Sequence, residues 1–420
     1  MVRYVILGSG PAGVFAAEAI RRRDVASPVV MVTQEGDIAR SPVMLTYWIG
    51  GKVSREGIRF RDSPWDKMNR VDLRVCRKAV SLETSSQKVI LEKGEEVPYD
   101  RLLIASGSSP ISLPIPGAGL KGVHSIRQVS DADSILGTIP SPRRIVIIGG
   151  GFIGLKIASH LKDRGIEVLI LEKESRMAPR MLDSQASLLL LDLLGRNGIR
   201  AEMGVEVEEI LGKAGEVCAV RMRDDRIFPA QMVIQSAGVK PNIAFLDGSG
   251  IALEMGIPVN ALMETNIPGV YAAGDVAVTV DSISGQKINN ATWPAASRQG
   301  TVAGTNMAGG NVTYIHNLPL NSLHLCGTPI MAAGNSSETQ GQGLVEEGPD
   351  FYRKVLLQDG KITGFILIGK VSQAGFLLAL MKKKEAVSSA DLMQDAFLGR
   401  KLLPQGFGYR HGFLFAEYQR

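Results

Sequence analysis

The segment Arg144–Glu172, RIVIIGGGFIGLKIASHLKDRGIEVLILE, constrains the fold of this chain more than any other stretch. An apolar run leads into Gly-x-Gly-x-x-Gly at Gly149, Gly151 and Gly154; an amphipathic stretch, a second apolar run and the acid Glu172 follow. This order of strand, glycine turn, helix, strand and acid is typical of a βαβ unit that binds a dinucleotide. The glycines let the backbone approach a pyrophosphate, and the helix N-terminus supplies unpaired N–H groups to it.

The acid that ends this unit predicts which nucleotide binds. Glu172 can accept hydrogen bonds from the hydroxyls of an adenosine ribose, and its charge would repel a 2′-phosphate. We therefore expect NADH to be favoured over NADPH. Arg176, four residues further on, could instead meet a 2′-phosphate, and this alternative stays open.

The same pattern occurs at the N-terminus. A strand over residues 3–7 runs into the loop GSGPAG at residues 8–13, and a helix, a second strand and Glu35 follow. Two such units in one chain indicate either two bound nucleotides, or one nucleotide and a degenerate copy of the site.

Length and composition limit the remaining possibilities. A chain of 420 residues, 45% hydrophobic and 21% charged, is expected to fold into roughly two or three globular domains. The sequence holds no apolar run of the about 18 residues that a membrane span needs, and its first strand begins too early for a signal peptide. We therefore expect a soluble, cytoplasmic protein. The net charge of +5 is scattered, without an aromatic and basic platform, so neither nucleic acid nor a membrane is an expected partner.

The cysteines exclude several kinds of site. Cys76, Cys218 and Cys326 are far apart in sequence, and no C-x-x-C motif or pair of histidines accompanies them. A disulfide framework, a zinc site and a cysteine-ligated cluster are therefore not expected, and we predict no metal site.

Two further segments end strands in small residues. An acid and an apolar strand lead into the small residues 105–107, and a strand over residues 270–273 is expected to deliver Gly274 and Asp275 to the start of a helix. An acid in that position can accept a hydrogen bond from a ribityl hydroxyl or can simply cap the helix, and both interpretations stay open. The proline-rich stretch 109–117 indicates a connection between domains.

The character of the chain changes from Tyr314 onward. Residues 352–358 and 362–368 predict a β-hairpin, and residues 373–384 and 390–398 predict helices. The aromatic-rich tail 406–420 could either finish a small core or dock a partner protein. We predict a separate α+β domain.

Four motifs, taken in order, resemble the FAD-dependent pyridine nucleotide–disulfide oxidoreductase family: GSGPAG, YDRLLIASGSSP, GGGFIG followed by an acid, and TNIPGVYAAGDVA. The resemblance is closest to the branch with NADH:rubredoxin reductases, ferredoxin reductases and the flavin domain of NADH-dependent nitrite reductase. It implies an α/β fold with two Rossmann-like nucleotide-binding domains, the NADH domain inserted in the FAD domain, and a C-terminal α+β domain. The implied domain bounds are residues 1–115 and 242–315 for FAD, 116–241 for NADH, and 316–420 for the C-terminal interface domain with its tail.

The resemblance also assigns the cofactor-binding residues. It implies FAD contacts at Gly8, Gly10, Pro11, Ala12, Gly13, Glu35, Arg40, Val80, Ala105, Ser106, Gly107, Gly274, Asp275 and Pro294. It implies NADH contacts at Gly149, Gly151, Phe152, Ile153, Gly154, Glu172 and Gly238.

The chain departs from the family pattern at three places. Val43 stands where thiol-using relatives carry a redox cysteine, so disulfide exchange is not expected. Lys156 stands where a glutamate is usual; its side chain could point toward the nicotinamide–flavin contact and modulate the flavin, or it could point to solvent. The arginine motif of rubredoxin reductases is not kept, and Arg40 is the nearest candidate.

The expected function is that of an NADH-oxidising flavoprotein. Hydride transfer is carried by the cofactors, so no catalytic side chain is assigned. The expected partner is an iron-containing protein: rubredoxin, ferredoxin or an iron–sulfur subunit of a complex such as an aldehyde or 2-oxoacid oxidoreductase. An oxygen-reducing NADH oxidase and a non-turnover regulatory protein that binds FAD and NADH are the alternatives. The sequence is also compatible with a homodimer.

Overall fold

The computed structural model describes residues 1–139, 144–315, 318–337, 342–388 and 392. The helices of this part are α1 Pro11–Arg23, α2 Pro42–Ile49, α3 Trp65–Met68, α4 Val129–Thr138, α5 Phe152–Lys162, α6 Ser184–Arg196, α7 Trp293–Met307 and α8 Ala374–Lys383. Short 3₁₀ turns lie at Glu56–Ile58, Glu92–Gly94 and Ala244–Leu246.

The strands follow in chain order. The first are β1 Tyr4–Leu7, β2 Val29–Val32, β3 Val71–Arg74, β4 Ala79–Glu83, β5 Lys88–Leu91, β6 Glu96–Pro98, β7 Arg101–Ile104 and β8 Ser108–Pro110. Next come β9 Val123–His124, β10 Arg144–Ile148, β11 Glu167–Glu172, β12 Arg200–Met203, β13 Val207–Lys213, β14 Glu216–Met222, β15 Ile227–Pro229, β16 Met232–Gln235 and β17 Val239–Pro241. The last are β18 Ile257–Pro258, β19 Val270–Ala272, β20 Ala277–Val280, β21 Lys287–Ile288, β22 Leu320–Leu325, β23 Thr328–Gly334, β24 Gln342–Gly348, β25 Phe351–Gln358 and β26 Lys361–Ile368.

The N-terminal unit is built on a parallel sheet of order β19-β7-β1-β2-β3. All four residues of β1 are buried, as expected for a parallel strand covered on both faces. Leu7 lies opposite Val32 on one side and Ile104 on the other, so the turns after these three strands meet at one edge of the sheet. Ligands of open α/β sheets bind at such carboxyl edges.

The inserted unit is built on a second parallel sheet, of order β12-β11-β10-β16-β9. Its strands come from residues 123–235, between the last two strands that the chain contributes to the first sheet. The predicted insertion of one Rossmann-like unit in another is therefore confirmed. The chain leaves and re-enters the N-terminal unit through β8 and β17, which pair with each other antiparallel.

The C-terminal sheet is antiparallel, in the order β22-β23-β26-β25-β24. The predicted hairpin is confirmed, and both turn residues, Asp359 and Gly360, have positive φ, as a tight two-residue hairpin requires. Alternate residues of β26 belong to two buried cores: Phe365 lies in the core that includes α8, and Ile366 lies in the core that includes Ile157 of α5. The predicted helix 390–398, apart from residue 392, and the tail 406–420 lie outside the described residues.

One predicted element differs from the structure. Asp275 does not begin a helix: the chain continues into β20, because the β-branched run after it forms a strand, and α7 begins only at Trp293.

Within the described residues, no helix is both long and apolar enough to cross a bilayer. The same residues hold no group of three or more His, Cys, Asp or Glu side chains placed to bind a metal ion.

Candidate cofactor site

The two glycine loops have the same geometry. The first glycines, Gly8 and Gly149, have φ values of +116° and +113°. A Cβ on Gly8 would lie 2.1 Å from the carbonyl oxygen of Ala105, and one on Gly149 would lie 2.3 Å from that of Ser236. Only glycine therefore fits at either position, because both the backbone angle and the neighbouring strand turn exclude a side chain.

The other two glycines of each Gly-x-Gly-x-x-Gly motif differ in their surroundings: the last one packs against the backbone of the loop, and the middle one faces open space. A Cβ on Gly13 or Gly154 would lie 2.0 or 2.2 Å from the carbonyl oxygen of the first glycine in its own loop. A Cβ on Gly10 or Gly151 would meet nothing within 4 Å. These middle glycines are the N-caps of α1 and α5, and neither helix has a side-chain cap. Both helix N-termini can therefore receive a phosphate group, and the residues fit a dinucleotide at each loop.

A cavity of about 430 Å³ opens at the carboxyl edge of the first sheet. Eight of the residues predicted to bind FAD line it: Gly8, Gly10, Pro11, Glu35, Arg40, Ala105, Ser106 and Gly107. Four cations that the sequence did not single out line it too: Arg77, Lys78, Arg127 and Lys240. A cavity rich in cations beside a helix N-terminus suits the diphosphate of FAD.

Other predicted FAD residues lie beside the cavity rather than on its lining. Ala12 and Gly13 belong to the first turn of α1, and a Cβ on Gly300 of α7 would lie 2.1 Å from the carbonyl oxygen of Ala12. Gly274, with a φ of +82°, packs against the Cβ of Ala12 and donates its N–H to Gln299 at 2.8 Å. These residues bring α7 and the turn after β19 close to the first loop.

Two residues that are predicted to contact FAD are exposed at the surface. The side chain of Val80 is 44% exposed, whereas its neighbour Ala79 lines the cavity. Pro294, in the first turn of α7, is also exposed. Contacts of these two residues with FAD stay a prediction.

Asp275 is held by two donors from neighbouring elements. Its Oδ2 accepts hydrogen bonds from the Oγ of Ser108 at 2.8 Å and from Nη2 of Arg127 at 2.9 Å. Arg127 also faces Glu35: burial raises the pKa of Glu35, and the Arg127 charge opposes that rise. Arg127 thus binds Asp275 directly and acts on Glu35 through its charge. No motif surrounds it in the sequence, since only the fold of the insert brings it there.

Arg40 lies at the cavity wall and is paired with a carboxylate that it shares with a second arginine. Its guanidinium donates to Asp37, which also accepts from Nη2 of Arg59 at 3.0 Å. Burial alone would raise the pKa of Asp37, but the hydrogen bond and charge of Arg40 bring it below its usual value. The charge that Arg40 presents to a ligand is therefore partly compensated.

Glu172 fixes the second glycine loop. Its side chain is buried, Oε2 accepts from the N–H of Gly150 at 2.7 Å, and Oε1 accepts from the N–H of Glu174 at 2.9 Å. Arg176 donates to the carbonyl oxygens of Leu182 and Pro179, both at 3.3 Å. Both side chains are thus engaged by the backbone around them, and the choice between Glu172 and Arg176 as the nucleotide-selecting residue stays a prediction.

The other predicted NADH residues surround the same loop. Phe152 is half-buried, Ile153 is 47% exposed, and Gly238 ends the turn after β16 with a φ of +110°. Lys156 turns inward: its Nζ lies 4.1 Å from the ring centroid of Tyr47 on α2, and burial lowers the pKa of Lys156 to about 8. Any effect of Lys156 on the flavin stays a prediction.

Comparison with known proteins agrees with this geometry. Residues 2–300 match the family described as pyridine nucleotide-disulphide oxidoreductase. The chain belongs to this family. Residues 319–385 match the C-terminal domain of rubredoxin NAD+ reductases, which agrees with the C-terminal sheet.

Relatives of this oxidoreductase cover nearly its whole length. An NADH oxidase of Methanocaldococcus jannaschii is 30% identical, over 93% of this chain and 94% of the relative. Subunit epsilon of the NADH-dependent phenylglyoxylate dehydrogenase of Aromatoleum evansii is 28% identical, over 96% and 97%. The crystal structure of NADH:rubredoxin oxidoreductase from Clostridium acetobutylicum superposes with a TM-score of 0.79, at 27% identity, over 96% of this chain and 100% of that one. The protein is therefore an FAD-dependent NADH oxidoreductase, as the sequence motifs predicted.

Proposed function

We propose that this oxidoreductase takes hydride from NADH onto FAD and passes electrons to an iron-containing protein. The observation that carries the proposal is the pair of matching loops, each with an open middle glycine at an uncapped helix N-terminus. FAD bound in the first site would allow two electrons from NADH to be passed on one at a time to the acceptor. The chain's own residues bind and orient the two nucleotides.

The absence of a thiol limits the acceptor. Helix α2, whose residues Pro42 and Leu45 line the cavity, carries Val43 and no cysteine. The cysteines lie elsewhere: Cys76 and Cys218 are exposed, and Cys326 lies in the turn between β22 and β23. With no thiolate on α2, disulfide reduction lacks its nucleophile, and electrons leave the flavin directly.

Relatives support two kinds of iron partner. The structurally similar protein from Clostridium acetobutylicum is an NADH:rubredoxin oxidoreductase, and the match of residues 319–385 points the same way. The phenylglyoxylate dehydrogenase relative is a subunit of a larger enzyme. We propose an iron protein as acceptor in either arrangement. Oxygen reduction is the second candidate, because a relative of 30% identity is an NADH oxidase.

A matched pair of glycine variants tests the two sites. Gly10→Val and Gly151→Val each add a side chain where nothing lies within 4 Å, at φ values of −74° in both cases, so the fold should survive. Gly151→Val should retain FAD but lose reduction by NADH, because the side chain blocks the pyrophosphate. Gly10→Val should lose FAD. FAD content after gel filtration and anaerobic stopped-flow reduction measure both; NADH reduction that survives Gly151→Val would refute the assignment.

Reoxidation of the reduced protein tests the acceptor. The NADH-reduced protein is mixed with air-saturated buffer or with the iron–sulfur proteins purified from the same organism. We expect reoxidation by one iron protein to be at least about tenfold faster than by oxygen. Faster reoxidation by oxygen than by every iron protein would favour the NADH oxidase.

A further inference from the structure

Helix α2 of the N-terminal unit lies along α5 of the inserted unit. The Nδ1 of His160 lies 2.6 Å from the carbonyl oxygen of Thr46 and must donate, since that oxygen can only accept. A Cβ on Gly50 would lie 2.7 Å from the Cβ of His160, so the helices touch closely. One end of α2 lines the FAD cavity, and α5 begins at the NADH loop. Along these two helices, Tyr47 follows the cavity-lining Leu45 by two residues, and Lys156 follows Gly154 of the NADH loop by two.

Lys156 is an unusual cation in this contact. Its Nζ is held over the Tyr47 ring, and within the part of the chain that the structure describes no carboxylate lies within 4.0 Å of it. Nearby, by contrast, Lys52 pairs with Asp163 at 3.0 Å, at the far end of α5. A half-buried ammonium without an acid is costly, and such groups are concentrated at functional sites.

The charge balance of the reaction gives this cation a role. Hydride transfer from NADH moves two electrons and one proton, leaves NAD+, and adds one negative charge on the acceptor side. A fixed cation close to the acceptor favours that product, whereas a cation close to the nicotinamide opposes it.

We propose that the Lys156 ammonium, held over the Tyr47 ring where α2 meets α5, stabilises the negative charge that the flavin gains and so raises its reduction potential. The proposal rests on FAD in the cavity and deepens the proposed function. Lys156 acts only through its charge and transfers no proton or hydride itself.

The test measures the two-electron potential of the FAD-loaded protein by anaerobic dithionite titration with a reference dye. An opposite charge nearby shifts an equilibrium that creates a charge by about ten- to a thousandfold. For a half-buried ammonium such as that of Lys156 we expect the lower end of this range. Lys156→Met should therefore lower the equilibrium constant of flavin reduction about tenfold, which is about 30 mV for a two-electron couple. Lys156→Arg, which keeps the charge, should stay within about threefold of the wild type.

Variants of Tyr47 supply the matched control. Tyr47→Phe keeps the aromatic face under the ammonium and should leave the potential unchanged. Tyr47→Leu removes that face and should move the potential in the direction of Lys156→Met. Equal potentials in wild type and Lys156→Met, or an equal loss in Tyr47→Phe and Tyr47→Leu, would overturn the proposal. If Lys156→Met does not bind FAD, Lys156→Gln and the Tyr47 pair answer the same question.

The pH dependence gives an independent readout. Lys156 is charged below its pKa of about 8 and neutral above it, so the difference from Lys156→Met should fade as the pH rises through that value. The other groups at this contact do not add a charge in that range: burial lowers the pKa of His160 and raises those of Tyr47 and of Cys326, which lies in the turn after β22 beside Ser159 of α5. A constant difference from pH 6 to 10 would contradict the assignment.

The potential depends on neither NADH nor an iron protein. Failure of electron delivery to every iron protein would therefore refute the proposed acceptor and leave the Lys156 result standing. A normal iron-dependent activity with an unchanged potential in Lys156→Met would refute only the role of Lys156.

Discussion

Removing the charge of Glu172 should weaken the preference for NADH by about tenfold or more. The carboxylate lies at the end of β11, and the 2′-phosphate of NADPH would bring close to two negative charges toward it. Two unit charges about 4 Å apart interact by about 4 kcal/mol at an effective dielectric constant near 20. Screening by water and salt lowers this value, so a preference of about a hundredfold, or about 2.8 kcal/mol, is a conservative expectation for the wild type.

The variants separate charge from loop structure. Glu172→Gln removes the charge but keeps an oxygen for the N–H of Gly150, so the preference should fall to about tenfold or less while NADH still binds. Glu172→Ala also leaves two backbone donors without their acceptor, at about 1–3 kcal/mol each if water does not replace it, and should weaken NADH binding as well. Glu174→Ala is the control, because it removes an exposed carboxylate from the same loop.

Anaerobic stopped-flow reduction of the bound FAD over a range of NADH and NADPH concentrations measures the ratio of second-order rate constants. FAD content and melting temperature show that each variant is folded. Comparable rates with both nucleotides in the wild type would refute the reasoning. An effect of Glu174→Ala as large as that of Glu172→Gln would show that general loop charge, rather than the buried carboxylate, selects the nucleotide.

Three further predictions test the redox assignment, the packing of the C-terminal sheet and the tail. Replacing all three cysteines with serine should leave NADH-to-dye activity nearly intact, and inhibition of flavin reduction by iodoacetamide would contradict this. Lys354→Met should lower the free energy of unfolding by about 3–5 kcal/mol, because it leaves Asp183, 2.7 Å from Lys354 Nζ, buried without its cation. Arg196→Ala, which breaks an exposed pair across the same contact, should cost less than about 1 kcal/mol in the same urea titration, and equal effects would refute the burial argument. Truncation after Leu403 should preserve FAD content and dye activity but lower electron delivery to the iron protein; loss of FAD or aggregation would show that the tail belongs to a folded core.

The sequence predicted those parts of the fold that depend on local pattern. The glycine loops, their strands and the hairpin at Asp359-Gly360 each carry their own signal, because backbone angles and strand burial restrict the residue types. The prediction that a helix begins at Asp275 was wrong, because a small-residue turn after a strand can lead either to a helix or to another strand. The motif does not decide between the two. Arg127 was missed because it reaches Asp275 from a distant part of the chain.

The site could be predicted where a motif forms it and not where packing forms it. Gly8 and Gly149 are recognisable because only glycine fits beside the next strand turn. The position of Lys156 over Tyr47 depends on how two helices from separate units meet, and nothing in either segment alone indicates it. The sequence therefore identified the lysine as a departure from a pattern but left open where its side chain points.

The pairing of β8 with β17 brings the two ends of the inserted unit side by side. Ser108 is the register partner of Pro241, and Pro110 is the partner of Val239, so the points of exit and return are neighbours on one two-stranded ribbon. Paired residues on antiparallel strands have Cα atoms only about 5 Å apart. An insert that accepts a different nucleotide could therefore be grafted at these two positions, provided that it keeps the apolar residues that bury Leu45 and Ile49 of α2.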